Sequence, residues 1–435
     1  MRPVEEALRL LLAGLRDPGE ERVPLAAAWG RRLSREVRRR LPQPPFTRSR
    51  VDGYAVGLAD LGASTLAIAG EVMAGGEPPP PLAPGTALRV MTGAPLPEGV
   101  GAVVPFEEVP EGNGARTGDR IALTRKLRRG QNVIRAGKDG AAGAEILPAG
   151  AWCGPVELGL LAEAGETVLW VRRRPRVALV ATGSELILPG EPLTPGKIYA
   201  SNLHLLAGLV AAWGGEPEPV PPLPDRLARL CETLTGAAAG ADLVLVTGGV
   251  AGGDRDFSRR AVAELGWTVL LDGADFHPGG RCAVAQAPGG TEVCFLSGGP
   301  GACLTAAALI AVPLLAALAG RPWTTVTATL AESREEPPAA VPSGRGRRRA
   351  VPVALRLDGG RLWAVPQPHS SGSPVVSRGT EGVFLLPPGG GGEGREPGAS
   401  AENAAGTLAG PRAGEPVEVW PLVPTLPEGG LPGKK

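Results

Sequence analysis

The chain has 435 residues with 45 basic and 44 acidic side chains, a formal net charge of +1. That balance excludes the broad basic footprint of non-specific nucleic-acid binding, and the length suits about three domains. Cys153, Cys231, Cys282, Cys294 and Cys303 are odd in number, widely spread and free of C-x-x-C spacing. They argue against a zinc site or disulfide framework and for buried thiols in a reduced, cytoplasmic protein.

At the amino end, Arg2, Glu5 and Glu6 precede an amphipathic segment, Ala7 to Leu15, a pattern unlike a signal peptide. Residues 1–40 read as a helix, a loop and a second helix dense in arginine (Arg31, Arg32, Arg35, Arg38, Arg39 and Arg40), whose charges form a solvated face. From about 50 to 150, short strand-like pieces recur between Gly and Pro: Leu66–Ile68, Ala87–Val90, Ala102–Val104 and Ile121–Leu123. Their even spacing predicts a small β-rich domain, with Pro78 to Pro81 as a stiff extended loop.

Residues 176–320 alternate strand and helix. Strands are expected at Arg176–Ala181, Asp242–Val246, Thr268–Leu271 and Glu292–Leu296, and helices at Asn202–Trp213, Asp225–Ala239, Ser258–Leu265 and Cys303–Leu318. The last is shorter than a membrane span, contains Pro313 and follows a glycine turn, so it reads as a buried core helix. This alternation implies a doubly wound sheet, mixed or parallel, whose ligands sit beyond the carboxyl ends of the strands. Three strands end in polar glycine turns: Thr182-Gly183-Ser184-Glu185, Thr247-Gly248-Gly249, and Ser297-Gly298-Gly299-Pro300-Gly301. Backbone N–H groups at such turns suit a phosphate, and Asp254 and Asp256, just beyond the second turn, offer the hard oxygen ligands that Mg²⁺ prefers. Asp254 also reads as a simple turn or helix N-cap, and Asp225 as the N-cap of its helix.

After 325 the pattern is β-like again (Thr325–Leu330, Val351–Leu357, Leu362–Val365, Val383–Leu386, Val417–Trp420), as in a small barrel or sandwich. Pro387–Gly414 is Gly/Ala/Glu-rich and reads as a flexible insert. The Arg345, Arg347, Arg348 and Arg349 cluster fits either a solvated loop or an anion contact.

The motifs, in order, resemble one known family nearly end to end. They are Val23-Pro24-Leu25, Pro45-Phe46-Thr47-Arg48-Ser49-Arg50-Val51-Asp52-Gly53-Tyr54-Ala55-Val56, Arg89-Val90-Met91-Thr92-Gly93-Ala94-Pro95-Leu96-Pro97 and Asn132-Val133-Ile134-Arg135. Pro175-Arg176-Val177 leads to Thr182-Gly183-Ser184-Glu185-Leu186, followed by Gly196-Lys197-Ile198-Tyr199-Ala200-Ser201-Asn202, the 243–256 strand-turn and Gly414-Glu415-Pro416-Val417-Glu418-Val419. The chain thus resembles a divergent molybdopterin molybdenumtransferase of the MoeA family, which includes the gephyrin E domain. The resemblance implies an α/β plus β multi-domain fold. Its expected parts are an N-terminal linker domain (1–50 and 140–175), an inserted β-rich domain (51–139), an α/β molybdopterin-binding domain (176–322) and a C-terminal β-barrel domain (323–435) with the flexible insert 387–414.

It further implies an elongated homodimer with active sites built from both subunits, and other molybdenum cofactor biosynthesis proteins as partners. The implied reaction takes adenylated molybdopterin and molybdate, uses Mg²⁺ and releases AMP. Carried over by position, the catalytic set is Asp52, Thr92, Glu185, Asp225, Asp256, His277 and Arg281. The binding set is Thr182, Gly183, Thr247, Gly248, Gly249, Ser297, Gly298, Gly299, Pro300, Arg347 and Ser371, with Asp254 and Asp256 toward the metal. Arg347 and Ser371 fall where the family places molybdate contacts.

The pattern breaks at charged positions. The family's Lys-Pro-Gly-Lys-Pro element here reads His277-Pro278-Gly279-Gly280-Arg281, and its Leu-Pro-Gly-Asn-Pro-Val-Ser turn reads Leu296-Ser297-Gly298-Gly299-Pro300-Gly301-Ala302. Lysine is scarce throughout, occurring only at 126, 138, 197, 434 and 435. Two readings follow: a transferase in which Arg281 supplies charge, or a homodimer that binds the pterin or nucleotide with little turnover and serves delivery or regulation.

Overall fold

In a computed structural model of the protein, the described residues are 1–249, 257–331, 347–367, 379–386 and 413–424. The chain forms two compact units, Arg22–Val171, and Met1–Glu21 with Arg172–Lys435.

In the Arg22–Val171 unit, the strand Gly53–Gly57 lies between Val100–Pro105 and Thr86–Val90, antiparallel to both, and Thr65–Val72 and Arg120–Ala122 complete a five-stranded sheet. All four strands expected here are present, each within a few residues of its expected ends. Side chains alternate between the two faces, as a strand requires. Tyr54 and Val56 join one core with Leu66, Ile68 and Val104, while Ala55 faces another with Leu88, Val90 and Val103.

The expected second helix, dense in arginine, is absent. Arg32 and Leu33 instead bridge to Trp152 and Val171, and Val37–Arg38 pairs with Glu145–Leu147. Leu33 is buried with Cys153, Leu161, Leu169 and Val171. The Arg35 guanidinium lies 3.9 Å from the centre of the Trp170 ring. These pairings join residues far apart in sequence, so tertiary contact overrides the helical propensity of the arginine run.

The larger unit is built on a six-stranded sheet. Its strands in chain order are β1 (Arg176–Ala181), β2 (Glu216–Pro219), β3 (Leu243–Thr247), β4 (Thr268–Asp272), β5 (Ala283–Gln286) and β6 (Glu292–Leu296), in the spatial order β2-β1-β3-β6-β5-β4. The first four in that order are parallel, and β5 alone is reversed, antiparallel to both β6 and β4. Helices α1 (Val4–Gly14), α2 (Ser201–Ala212), α3 (Leu227–Gly240), α4 (Phe257–Glu264) and α5 (Pro300–Leu318) cover the sheet. Alternation again divides the core in two. Val177, Leu179, Leu243, Leu245, Cys294 and Leu296 pack with α1, α2 and α5, while Ala178, Val180, Val244, Val246, Val293 and Phe295 pack with α3 and α4. The sheet is therefore doubly wound.

Helix α5 is long and apolar enough to cross a membrane, but 94% of its apolar window is buried inside the protein. It widens into one π turn at Ala307–Ala311, ahead of Pro313. Proline has no N–H, and its ring would strike the carbonyl four residues earlier; a wider turn relieves both.

Beyond α5, strands β7 (Val326–Leu330), β8 (Arg348–Asp358), β9 (Arg361–Pro366), β10 (Gly382–Leu386) and β11 (Pro416–Pro421) close into a five-stranded barrel, since β8 pairs with both β9 and β10. Ala350, Val383, Trp420 and Leu422 belong to the same core as α5, and Trp213 Nε1 donates to the Leu422 carbonyl at 2.7 Å.

Arg348 fastens the start of the barrel to the amino-terminal helix. Its guanidinium donates to both Glu5 oxygens (2.7 and 2.9 Å) and to Asp275 Oδ1 (2.9 Å), which also accepts from the Val4 N–H. Replacing Arg348 with alanine leaves Asp275 half-buried without its cation. We expect a loss of about 2 kcal/mol, below the range for fully buried pairs because Glu5 is half exposed. A thermal melt should show a fall of roughly 4–8 °C, and an unchanged midpoint would refute the fastening role.

Candidate functional site

The register sets Ala181, Thr247 and Leu296 side by side, so β1, β3 and β6 end at one level. The three glycine turns follow directly. Thr182 N donates to the Thr247 carbonyl at 3.0 Å and Gly248 N to the Leu296 carbonyl at 3.2 Å, which lash the turns together. Gly248 has φ +99°, and a Cβ there would strike the Thr182 carbonyl oxygen. Glycine is thus required at 248 for both conformation and space.

Asp225 does not cap helix α3, whose N-cap is Arg226 with no side-chain bond. Its carboxylate instead accepts from Thr182 Oγ1 (3.2 Å) and Ser184 N (3.3 Å), while Ser184 Oγ accepts from Asp225 N (3.1 Å). The N-cap reading therefore fails, and Asp225 turns toward the end of β1. Glu185 is exposed on the same turn, its carboxylate folded over Gly183. Lys197 Nζ donates to the Ser184 carbonyl at 2.6 Å, placing one of the few lysines at this edge. Asp254, Asp256, Ser371 and Arg345 lie outside the described residues. Among the described residues no group of three His, Cys, Asp or Glu is placed to hold a metal ion.

The second cluster is basic. Phe276–His277 forms a two-residue strand parallel to β8, with His277 opposite Arg349. Burial, and then the charges of Arg347, Arg281 and Arg349, hold the His277 pKa below its ordinary value, so the imidazole is neutral near pH 7. An oxyanion among these three guanidiniums would offset their charges, though not the burial that is the larger cause. The following loop lies against α5, where a Cβ on Gly279 would strike the Ala302 carbonyl and approach Ala306 N to 3.2 Å. A Cβ on Gly280 would strike the Phe276 carbonyl and stand 2.6 Å from that of Ala274. Position 280 holds no side chain in this backbone.

In the Arg22–Val171 unit, Asp52 Oδ1 accepts from the N–H (2.6 Å) and hydroxyl (2.7 Å) of Thr92. These bonds, the hydroxyl's first, hold the Asp52 carboxyl below its usual range, and both residues are exposed. All five cysteines are free, four of them buried. Burial pushes Cys282 and Cys303 up to about 12, which leaves them inert as nucleophiles.

Two further polar residues carry only a faint signal in the sequence. Asn202 sits in the first turn of α2, and its side chain donates to Thr247 Oγ1 and to the Gly298 carbonyl, both at 2.8 Å. The available signal was one amide in a helix whose other buried positions are Leu and Val. Arg349 stands in a run of arginines that does not single it out; the structure sets it opposite His277.

Residues 2–165 match the MoeA N-terminal region (domain I and II), and residues 178–317 match a probable molybdopterin binding domain. Molybdopterin molybdenumtransferase 2 of Mycobacterium tuberculosis is 34% identical over 333 residues, 74% of this chain and 81% of its own. The molybdopterin molybdenumtransferase of Bacillus subtilis is 30% identical over 398 residues, 89% of this chain and 90% of its own. Two crystal structures of the molybdopterin biosynthesis MoeA protein of Pyrococcus horikoshii superpose with TM-scores of 0.77 and 0.72. They share 29% and 28% identity, covering 97% and 96% of this chain and 98% and 99% of theirs.

Proposed function

The chain belongs to the MoeA family, a family of transferases in molybdenum cofactor biosynthesis, and on that premise we propose that it inserts molybdenum from molybdate into adenylated molybdopterin and releases AMP. The observation that carries this reading is the level ending of three parallel strands in glycine turns; a cluster of His277, Arg281, Arg347 and Arg349 adds positive charge around a loop packed against the first turns of α5. The turns suit phosphoryl oxygens, since their backbone groups approach a ligand without a side chain in the way. The basic cluster suits molybdate, a dianion. We assign Arg281 and Arg349 the charge that two lysines supply elsewhere in the family.

Mg²⁺ fits the donor chemistry here. Asp225 and Glu185 bring carboxylate oxygens to the strand ends, and the ion would need Asp254 and Asp256 to complete its oxygen ligands. Bound there, Mg²⁺ would neutralise phosphoryl oxygen charge. The protein's own part is to orient the two anions, with Asp225 holding the Thr182–Ser184 turn in shape. We assign the Asp52–Thr92 pair of the other unit to the same reaction, and a cytoplasmic homodimer as the working form.

A second reading is favoured by the same basic loop. With His277 and Gly280 where the family has lysines, the chain would bind molybdopterin or a nucleotide for delivery with little turnover. AMP release from adenylated molybdopterin, with Mg²⁺ and molybdate, separates the two. We expect release that requires molybdate and falls at least a hundredfold in Asp256→Ala, about 3 kcal/mol of transition-state stabilisation. A protein that binds the adenylated pterin and releases no AMP would leave only the binding reading.

A further inference from the structure

The turn after β6 is shaped from behind by buried bonds. Asn202 is 8% exposed, and its amide nitrogen donates to Thr247 Oγ1 and to the Gly298 carbonyl, both at 2.8 Å. Thr247 Oγ1 in turn donates to the Ser297 carbonyl at 3.1 Å. The amide's orientation is fixed, because a carbonyl oxygen accepts and never donates. Asn202 Oδ1 has no partner among the described residues. A buried acceptor left in that state costs about 1–3 kcal/mol, a penalty an apolar residue would avoid. Gly298 also packs against the neighbouring turn, since a Cβ built on it would lie 3.4 Å from Gly248 Cα.

Two carbonyls of the turn, those of Ser297 and Gly298, are thus drawn inward. In a trans peptide the C=O and the following N–H point in opposite directions. The N–H groups of Gly298 and Gly299 therefore face away from the buried network. Among the described residues neither is engaged in a hydrogen bond, and Gly298 is exposed. Successive outward N–H groups make an anion cradle.

We propose that Asn202 is a positioning residue for phosphate binding: by holding the Gly298 carbonyl, and through Thr247 that of Ser297, it turns the Gly298 and Gly299 amides outward to grip a phosphate ester. The inference rests on reading this turn as a phosphate site.

AMP is the probe, titrated calorimetrically into the full-length protein. Asn202→Asp keeps the shape but sets a carboxylate oxygen against the Gly298 carbonyl, and should weaken AMP binding at least tenfold. Gly299→Pro is the independent variant. Gly299 has φ −69°, which proline adopts, so the substitution removes one outward N–H and leaves Asn202 untouched. It should weaken AMP at least fivefold with no fall in melting temperature, a separation that a merely structural role would not produce. In turnover, Asn202→Asp should raise KM tenfold while kcat falls less than threefold.

If Asn202→Asp does not fold, Gly299→Pro decides alone. Equal AMP affinity in wild type and Gly299→Pro overturns the proposal, as does a wild type that binds no AMP. If AMP binds and weakens as stated but molybdate-dependent release is missing, the transferase reading fails and the cradle stands.

Discussion

Gly280→Lys, which restores the family's residue, is expected to destabilise the protein by about 3 kcal/mol or more and to restore no anion binding. The obstacle is the first carbon of the side chain: a Cβ at 280 would strike the Phe276 carbonyl and stand 2.6 Å from that of Ala274. Both are backbone atoms of a loop packed on α5, so relief requires moving the loop, and overpacking of this kind typically costs 1–3 kcal/mol, occasionally more. Gly280→Ala should therefore cost about as much as Gly280→Lys, which separates crowding from charge. The melting midpoint should fall by roughly 6–12 °C in both. A lysine variant with the wild-type midpoint would show that the loop has another conformation open to it. Glycine at 280, where the resemblance implies a lysine, is thus a matter of backbone as well as of charge.

The second large effect is on stability against pH. Glu292 opens β6 at the end opposite the site, 1% exposed, with both carboxylate oxygens unpartnered among the described residues. Burial alone pushes its pKa from 4.5 up to about 7. The folded state then holds a proton that the unfolded state releases. The favourable contribution is complete below pH 4.5, declines as pH rises, and is gone above about 7. At about 1.4 kcal/mol per unit, the decline is on the order of 3 kcal/mol. Glu292→Gln cannot ionise, so it should be more stable than the wild type by that amount at pH 8 and by little at pH 5. Urea titrations at the two pH values measure this, and a difference independent of pH would mean that Glu292 titrates normally.

Much of the α/β and barrel architecture was legible because its strands are short aliphatic runs bounded by glycine, as at Leu243–Thr247 and Glu292–Leu296. Residues 31–40 were not legible. Their arginines suit a helix taken alone, yet Arg35 stacks on Trp170 and Leu33 pairs with Val171, partners more than 130 positions away. Asp225 read equally well as a cap, since sequence does not give the direction of a carboxylate; only the bonds to Thr182 and Ser184 do. Motif comparison located the missing lysine at 280, but the crowding there arises from the carbonyls of Ala274 and Phe276, which a string of residue types does not encode. Nothing in the sequence marks Asn202, because its two partners come from other segments, 45 and 96 residues on.

The division of the central sheet into two cores bears on how this chain can change. One core holds Leu179, Leu245 and Leu296, the other Val180, Val246 and Phe295, and no side chain belongs to both. Substitutions on opposite faces share no packing partners, so their costs should add instead of compounding. Either set of helices can drift in volume and composition, as an alanine-rich chain does, while the backbone ladder between β1, β3 and β6 keeps the three glycine turns in step. The sheet works as a partition that insulates the turns at its edge from the history of each face.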